Sequence, residues 1–98
     1  MIVEFGSGDL DRLETDPTYD GGRSASVVKA YRKRMQEIRA APDERTFYGL
    51  RSMRFEKLFG GRKGQCSMRL NDQWRLIVSF RGKAPTKTII VIEIVDYH

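Results

Sequence analysis

A chain of 98 residues with one cysteine and one histidine is long enough for a single domain with a modest core, and it excludes an internal disulfide or a Cys/His zinc site. No window approaches the roughly 20 apolar residues of a membrane span, and the start MIVEFGSGDL lacks the basic and apolar regions of an export signal, so a soluble protein of a reducing cytoplasm is expected. The net charge of +5 is unevenly placed: residues 1–50 hold 8 Lys/Arg against 9 Asp/Glu, residues 51–87 hold 10 against 2, and residues 88–98 hold none against 2. Most of the basic block is arginine interleaved with strand residues. That favours a nucleic-acid backbone over the two plainer readings, a solvated face or a site for an acidic protein.

Met1 to Phe5, apolar at Ile2, Val3 and Phe5 and bounded by Gly6 and Gly8, reads as a first strand. Asp9 is placed to cap a short helix with Leu10 and Leu13 on one face, broken by Pro17 and Asp20-Gly21-Gly22. Ser24 or Ser26 then opens the clearest helix. Val28, Tyr31, Met35 and Ile38 recur at 3-4-3 spacing with Lys29, Arg32, Lys33, Arg34 and Arg39 on the flanks, as in an amphipathic helix lying on a sheet and stopping near Pro42. Asp43 is expected to cap a brief turn through Phe47 and Tyr48 to Gly49.

From Leu50 to Gly64 the chain, LRSMRFEKLFGGRKG, reads as an irregular basic loop. Met53, Phe55, Leu58 and Phe59 are expected to tether it to the core, leaving Arg51, Arg54, Lys57, Arg62 and Lys63 to face a ligand. Gly60, Gly61 and Gly64 let backbone N–H groups approach a phosphate without forming a nucleotide-binding fingerprint. The next stretch is the chain's organising feature. Cys66–Leu70 and Trp74–Phe80 alternate around Asn71-Asp72, a β-hairpin pattern whose turn residues tolerate left-handed angles. Arg69, Arg75 and Arg81 share one parity, and Met68, Leu70, Trp74, Leu76, Val78 and Phe80 make the apolar set. Gly82 to Pro85 reads as a turn, and Thr88 to Val95 as a β-branched central strand. The order β-α-α-loop-β-β-β implies an α+β domain spanning residues 1–98, with two or three helices packed on one face of a largely antiparallel sheet.

Asp96, Tyr97 and His98 follow that strand. By alternation Tyr97 shares a parity with Glu93 and Val95, and Asp96 and His98 share one with Ile92 and Ile94; strand-end twist would still let all three reach one cleft. The imidazole suits proton transfer near neutral pH, and an adjacent α-carboxylate favours its charged form, that of a general acid. Tyr97 beside arginines is a candidate base or phosphate-orienting group, and Arg75, central on the charged face, a candidate stabiliser of charge on phosphorus.

The pattern Leu-x-Gly-x-Arg-x-Gly-x-x-Ser-x-Arg-x-Asn-x-x-Trp-Arg from Leu58 to Arg75, together with the opening strand, the long helix and the final Asp96-Tyr97-His98, resembles the HigB branch of the RelE/ParE toxin superfamily, the plasmid maintenance killer proteins. That resemblance implies a RelE-like, microbial-ribonuclease-like fold and a type II toxin acting without metal or cofactor. Such a toxin is an endoribonuclease that cuts messenger RNA in the A site of the 70S ribosome. The RNA's own 2′-hydroxyl attacks the adjacent phosphate, which stops translation and growth. The implied partner is a HigA-type helix-turn-helix antitoxin, through which alone the toxin meets operator DNA. Carried over by position, Arg75 would hold the scissile phosphate, Tyr97 and His98 would share proton transfer, and Asp96 would position them. Arg54, Lys57, Arg62, Lys63 and Arg69 would bind RNA.

The sequence departs from many relatives at Phe59, where they carry Lys, at Gly61, where they carry an acid, and at Cys66, where they carry an aromatic. Some have His at the position of Glu56. Loss of the Lys is expected to alter turnover or codon preference, with Lys57 or Lys63 near enough in sequence to substitute. Two further readings compete: a DNA gyrase poison, as in the ParE branch, and a relative without catalysis that only binds antitoxin.

Overall fold

The structure, a computed structural model, describes residues 1–83 and 87–96. Among them, strands β1 (Ile2–Phe5), β2 (Glu56–Lys57), β3 (Gln65–Arg69), β4 (Trp74–Arg81) and β5 (Thr88–Asp96) form one sheet in the order β1-β5-β4-β3-β2. Helices α1 (Gly8–Thr15), α2 (Ala25–Ala40) and α3 (Arg45–Gly49) pack against one face. Every strand pair is antiparallel except β1 with β5, the first and last strands, which run parallel. This is the expected α+β architecture. The turn expected at Gly82 to Pro85 lies in part outside the described residues, as do Tyr97 and His98.

The apolar stripe of α2 builds the core. Val27, Val28, Tyr31, Met35 and Ile38 are buried against Met68, Leu76 and Val78 of the hairpin and Ile89 and Val91 of β5, with Leu10 and Leu13 of α1 closing one end. Each such side chain contributes roughly 1.5–3 kcal/mol by leaving water. Tyr31 keeps its hydroxyl satisfied inside that core by donating to the Leu10 carbonyl at 2.7 Å. Phe47 of α3 and Phe80 of β4 flank Phe55 with tilted and edge-on rings, 5.4 and 6.1 Å between centroids, which anchors the segment leading to β2.

Several local expectations change. Asp9 sits inside the first turn of α1 rather than at its cap, which is Ser7, and its carboxylate is taken by Tyr19 and Arg23. Ser24, not Ser26, caps α2, accepting from the Val27 N–H. The segment after α3 is not irregular: two 3₁₀ turns, Arg51–Met53 and Gly60–Arg62, bracket β2, which pairs with β3. The hairpin turns without left-handed residues. Leu70 and Asn71 N–H groups both donate to the Trp74 carbonyl, and the Asn71 side chain accepts from Gln73 and Trp74 N–H, so a side-chain acceptor replaces the left-handed bend.

Two arginines expected on the solvated flanks of α2 are structural. Arg32 donates to the carbonyls of Leu13, Asp16 and Tyr19 at 3.0 to 3.1 Å and so closes the C-terminal end of α1. Arg34, 4 % exposed, bonds Arg69 O at 2.7 Å, Ser52 O at 2.6 Å and Glu37 Oε1 at 2.7 Å. It ties α2 to the end of β3 and to the first 3₁₀ turn.

Candidate active site

Alternation sends Gln65, Ser67 and Arg69 of β3, and Arg75, Ile77 and Ser79 of β4, to the sheet face away from the helices. The expectation of a plainly charged face is only half met, since Ser67, Arg75 and Ile77 are buried on it. Register places Arg69 directly opposite Arg75. Cβ atoms of such partners stand about 4.5–5.5 Å apart, and like charges there repel. The structure relieves both guanidinium groups with neighbouring oxygens: Arg69 pairs with Asp72 of the turn at 2.5 Å, and Arg75 donates Nη1 to the Arg54 carbonyl at 3.3 Å. Arg54 follows the 3₁₀ turn in a left-handed conformation, φ 45° and ψ 54°, the positive-φ non-glycine among the described residues. Such a conformation costs on the order of 1–3 kcal/mol, and it accompanies the carbonyl that meets Arg75.

Ser67 stands one pleat from Arg69 on the same face. It is wholly buried, and its hydroxyl has no hydrogen-bond partner among the described residues. A buried hydroxyl left unbonded costs about 1–3 kcal/mol, a local cost carried beside the arginine pair. The sequence signal for it was a small polar residue between two buried apolar ones.

Glu93 reaches this face through a bulge. Ile77 pairs with Glu93 but Val78 pairs with Val91, leaving Ile92 as the extra residue of β5. Strict alternation from Ile89 and Val91 would have turned Glu93 toward the helices; the bulge reverses it, and Val95 comes opposite Arg75. Glu93 accepts from Arg62 Nη2 at 2.8 Å, while Arg62 Nη1 reaches Gln65 at 3.0 Å. Arg62, expected to meet RNA, is therefore half-engaged by a carboxylate and holds the second 3₁₀ turn over the open face.

The other expected residues are divided. Lys57 and Lys63 are exposed, the first on β2 and the second just past the second 3₁₀ turn. Asp96 pairs with Trp74, so it lies on the parity opposite Arg75, and it accepts from the Gln73 amide at 3.0 Å. Twist at the strand end does not bring Asp96 onto the arginine face. At the far end of that face Arg81 pairs with Glu4 across β5, which concentrates the positive character near the hairpin turn. Cys66 faces the core, and burial pushes its thiol pKa up. Among the described residues no three His, Cys, Asp or Glu side chains converge as a metal site, and no helix is long and apolar enough to cross a membrane.

Residues 4–98 match the model of the HigB-like toxin family, described as the RelE-like toxin of type II toxin-antitoxin system HigB. The chain belongs to the HigB-like toxin family. It is thus the toxin of a type II toxin–antitoxin system, and an antitoxin is its partner. The fold of this HigB-like toxin is similar to that of a YoeB/ParE toxin from Agrobacterium tumefaciens, with a TM-score of 0.64 and 20% identity over 100% of both chains. No curated protein matches it in sequence.

Proposed function

We propose that this HigB-like toxin is a metal-independent, ribosome-dependent endoribonuclease that cuts messenger RNA in the A site and so halts translation and growth. The observation that carries the reading is the Arg69–Arg75 cross-strand pair, set beside a left-handed Arg54. Adjacent guanidinium groups on paired strands suit a phosphodiester, whose oxygens take N–H donors in pairs. In the proposed reaction the RNA's 2′-oxygen forms a bond to phosphorus while the bond to the 5′-oxygen breaks, leaving a 2′,3′-cyclic phosphate and a 5′-hydroxyl. Arg75 holds the phosphate and offsets its growing charge. Tyr97 takes the proton from the 2′-hydroxyl, and His98 gives one to the departing 5′-oxygen. Asp96 anchors the end of β5 through Gln73 and so positions the two residues that follow. Arg54, Lys57, Lys63 and Arg69 bind the RNA backbone, with Arg62 joining if the anion displaces Glu93. The antitoxin is proposed to be of the HigA type, a helix-turn-helix protein that links the toxin to operator DNA, and the toxin to work in the cytoplasm.

Mapping of transcript 5′ ends after induction tests this. Wild type should cut within reading frames, and Arg75→Ala, by losing a preorganised charge stabiliser, should cut roughly 10²–10³-fold less while still folding. A chain lacking His98 should be inactive. Undiminished growth arrest by both variants, or DNA-damage induction with intact transcripts, would remove the ribonuclease reading.

A further inference from the structure

Phe59 is 85 % exposed, the most open large apolar side chain among the described residues. The sequence suggested a tether to the core, and the structure removes it from that role. Its backbone is extended, φ −126° and ψ 177°, and Gly60 beyond it takes a left-handed φ of 67° that turns the chain into the second 3₁₀ turn. The platform is nonetheless held. Leu58 N–H donates to the Gln65 carbonyl at 2.9 Å, Lys63 N–H to the Gly60 carbonyl at 3.2 Å, and the Arg62 guanidinium bridges Gln65 and Glu93. Arg62 thereby fastens the loop to the open face, while Lys57, opposite Cys66, and Phe59 beyond it share the other parity of edge strand β2.

What surrounds the ring decides its partner. Its chain neighbours Glu56, Lys57, Gly60, Gly61 and Lys63 are all exposed and, apart from half-buried Leu58, none is apolar beyond glycine, which is poor material for a hydrophobic protein contact. A solitary aromatic face between two lysines matches the chemistry of single-stranded nucleic acid, in which bases stack on rings while neighbouring cations take the phosphates. A ring with two side-chain torsions also loses little conformational freedom on binding.

We propose that Phe59, at the exposed edge of the sheet, is a stacking platform for one unpaired base of a single-stranded RNA whose phosphates meet Lys57 and Lys63. The identity of that strand rests on the ribonuclease reading; the stacking does not require cleavage. The test uses the full chain and a short single-stranded RNA carrying 2-aminopurine, with 2′-deoxy substitution to block attack. Wild type should quench the base fluorescence, and Phe59→Trp and Phe59→Tyr should do the same. Phe59→Ala and Phe59→Leu should lose the quench and bind roughly 5- to 150-fold more weakly, the range for one stacked base. Lys63→Ala should weaken binding in a salt-dependent way yet keep the quench at saturation. Wild-type binding and quenching without transcript cleavage in cells would sink the ribonuclease reading and leave this one standing. Equal quenching by Phe59→Ala, or no RNA binding by wild type, would overturn it. So would a Phe59→Ala chain that loses affinity only for its antitoxin, which would make the ring a protein contact.

Discussion

Arg34→Met keeps the aliphatic stem in place and deletes a guanidinium that makes three short bonds, to Arg69 O, Ser52 O and Glu37 Oε1. Hydrogen bonds to charged groups contribute roughly 1.5–3 kcal/mol each. Glu37, 23% exposed at its side chain, can turn toward water, and the loss falls accordingly. The net expectation is about 3–5 kcal/mol, the range for breaking a buried ion pair from one side. That is a large part of the 5–15 kcal/mol typical of a whole domain. At about 5 °C per kcal/mol for a chain of this size, melting should fall by roughly 20 °C. Arg34→Lys, which keeps the charge but not the planar fork, should recover less than half of the loss. Circular-dichroism melts and urea titrations of the three proteins measure this. A loss under about 1 kcal/mol for Arg34→Met would show that the two carbonyls find other donors and that the stapling role is wrong.

Two smaller expectations concern titration and the thiol. The Arg23 hydrogen bond, followed by that from Tyr19, holds the Asp9 carboxyl below its ordinary value, so this contribution is whole above the unfolded pKa of about 3.9 and is lost as pH falls through the folded value. Because Asp9 is partly open to water, Asp9→Asn should cost less than about 1 kcal/mol at neutral pH, and its urea midpoint should fall less steeply below about pH 4 than that of wild type. Parallel slopes would refute the linkage. Cys66, buried with its pKa raised first by desolvation, should react with a thiol reagent at neutral pH only as fast as the protein opens, and fast in urea. Complete labelling of the native protein within seconds would place the thiol at the surface.

Much of the architecture follows from local rules that any reader of the chain can apply. The 3-4-3 stripe from Val28 to Ile38 can be buried only as a helix, and two alternating runs around Asn71-Asp72 have few options besides a hairpin. The clustering of arginine in residues 51–87 marked the face on which the candidate site lies. Arg69 and Arg75 were legible because they share a parity on paired strands. Asp96 keeps the side of Ile94 that alternation gives it, and only the register with Trp74 shows that this side is the one away from Arg75.

Periodicity and charge, which are local properties of neighbours in the chain, determined by themselves the helices, the hairpin and the sign of the open face. Tertiary structure alone decided which charges are spoken for. Arg32 and Arg34 belong to backbone carbonyls, Arg62 to Glu93 and Arg81 to Glu4, and each pairing joins residues that only folding brings together. It also decided that Ser67 is sealed with no partner among the described residues and that Phe59 stands in water. Burial is set by what the rest of the chain lays over a position, and no window of sequence contains that information.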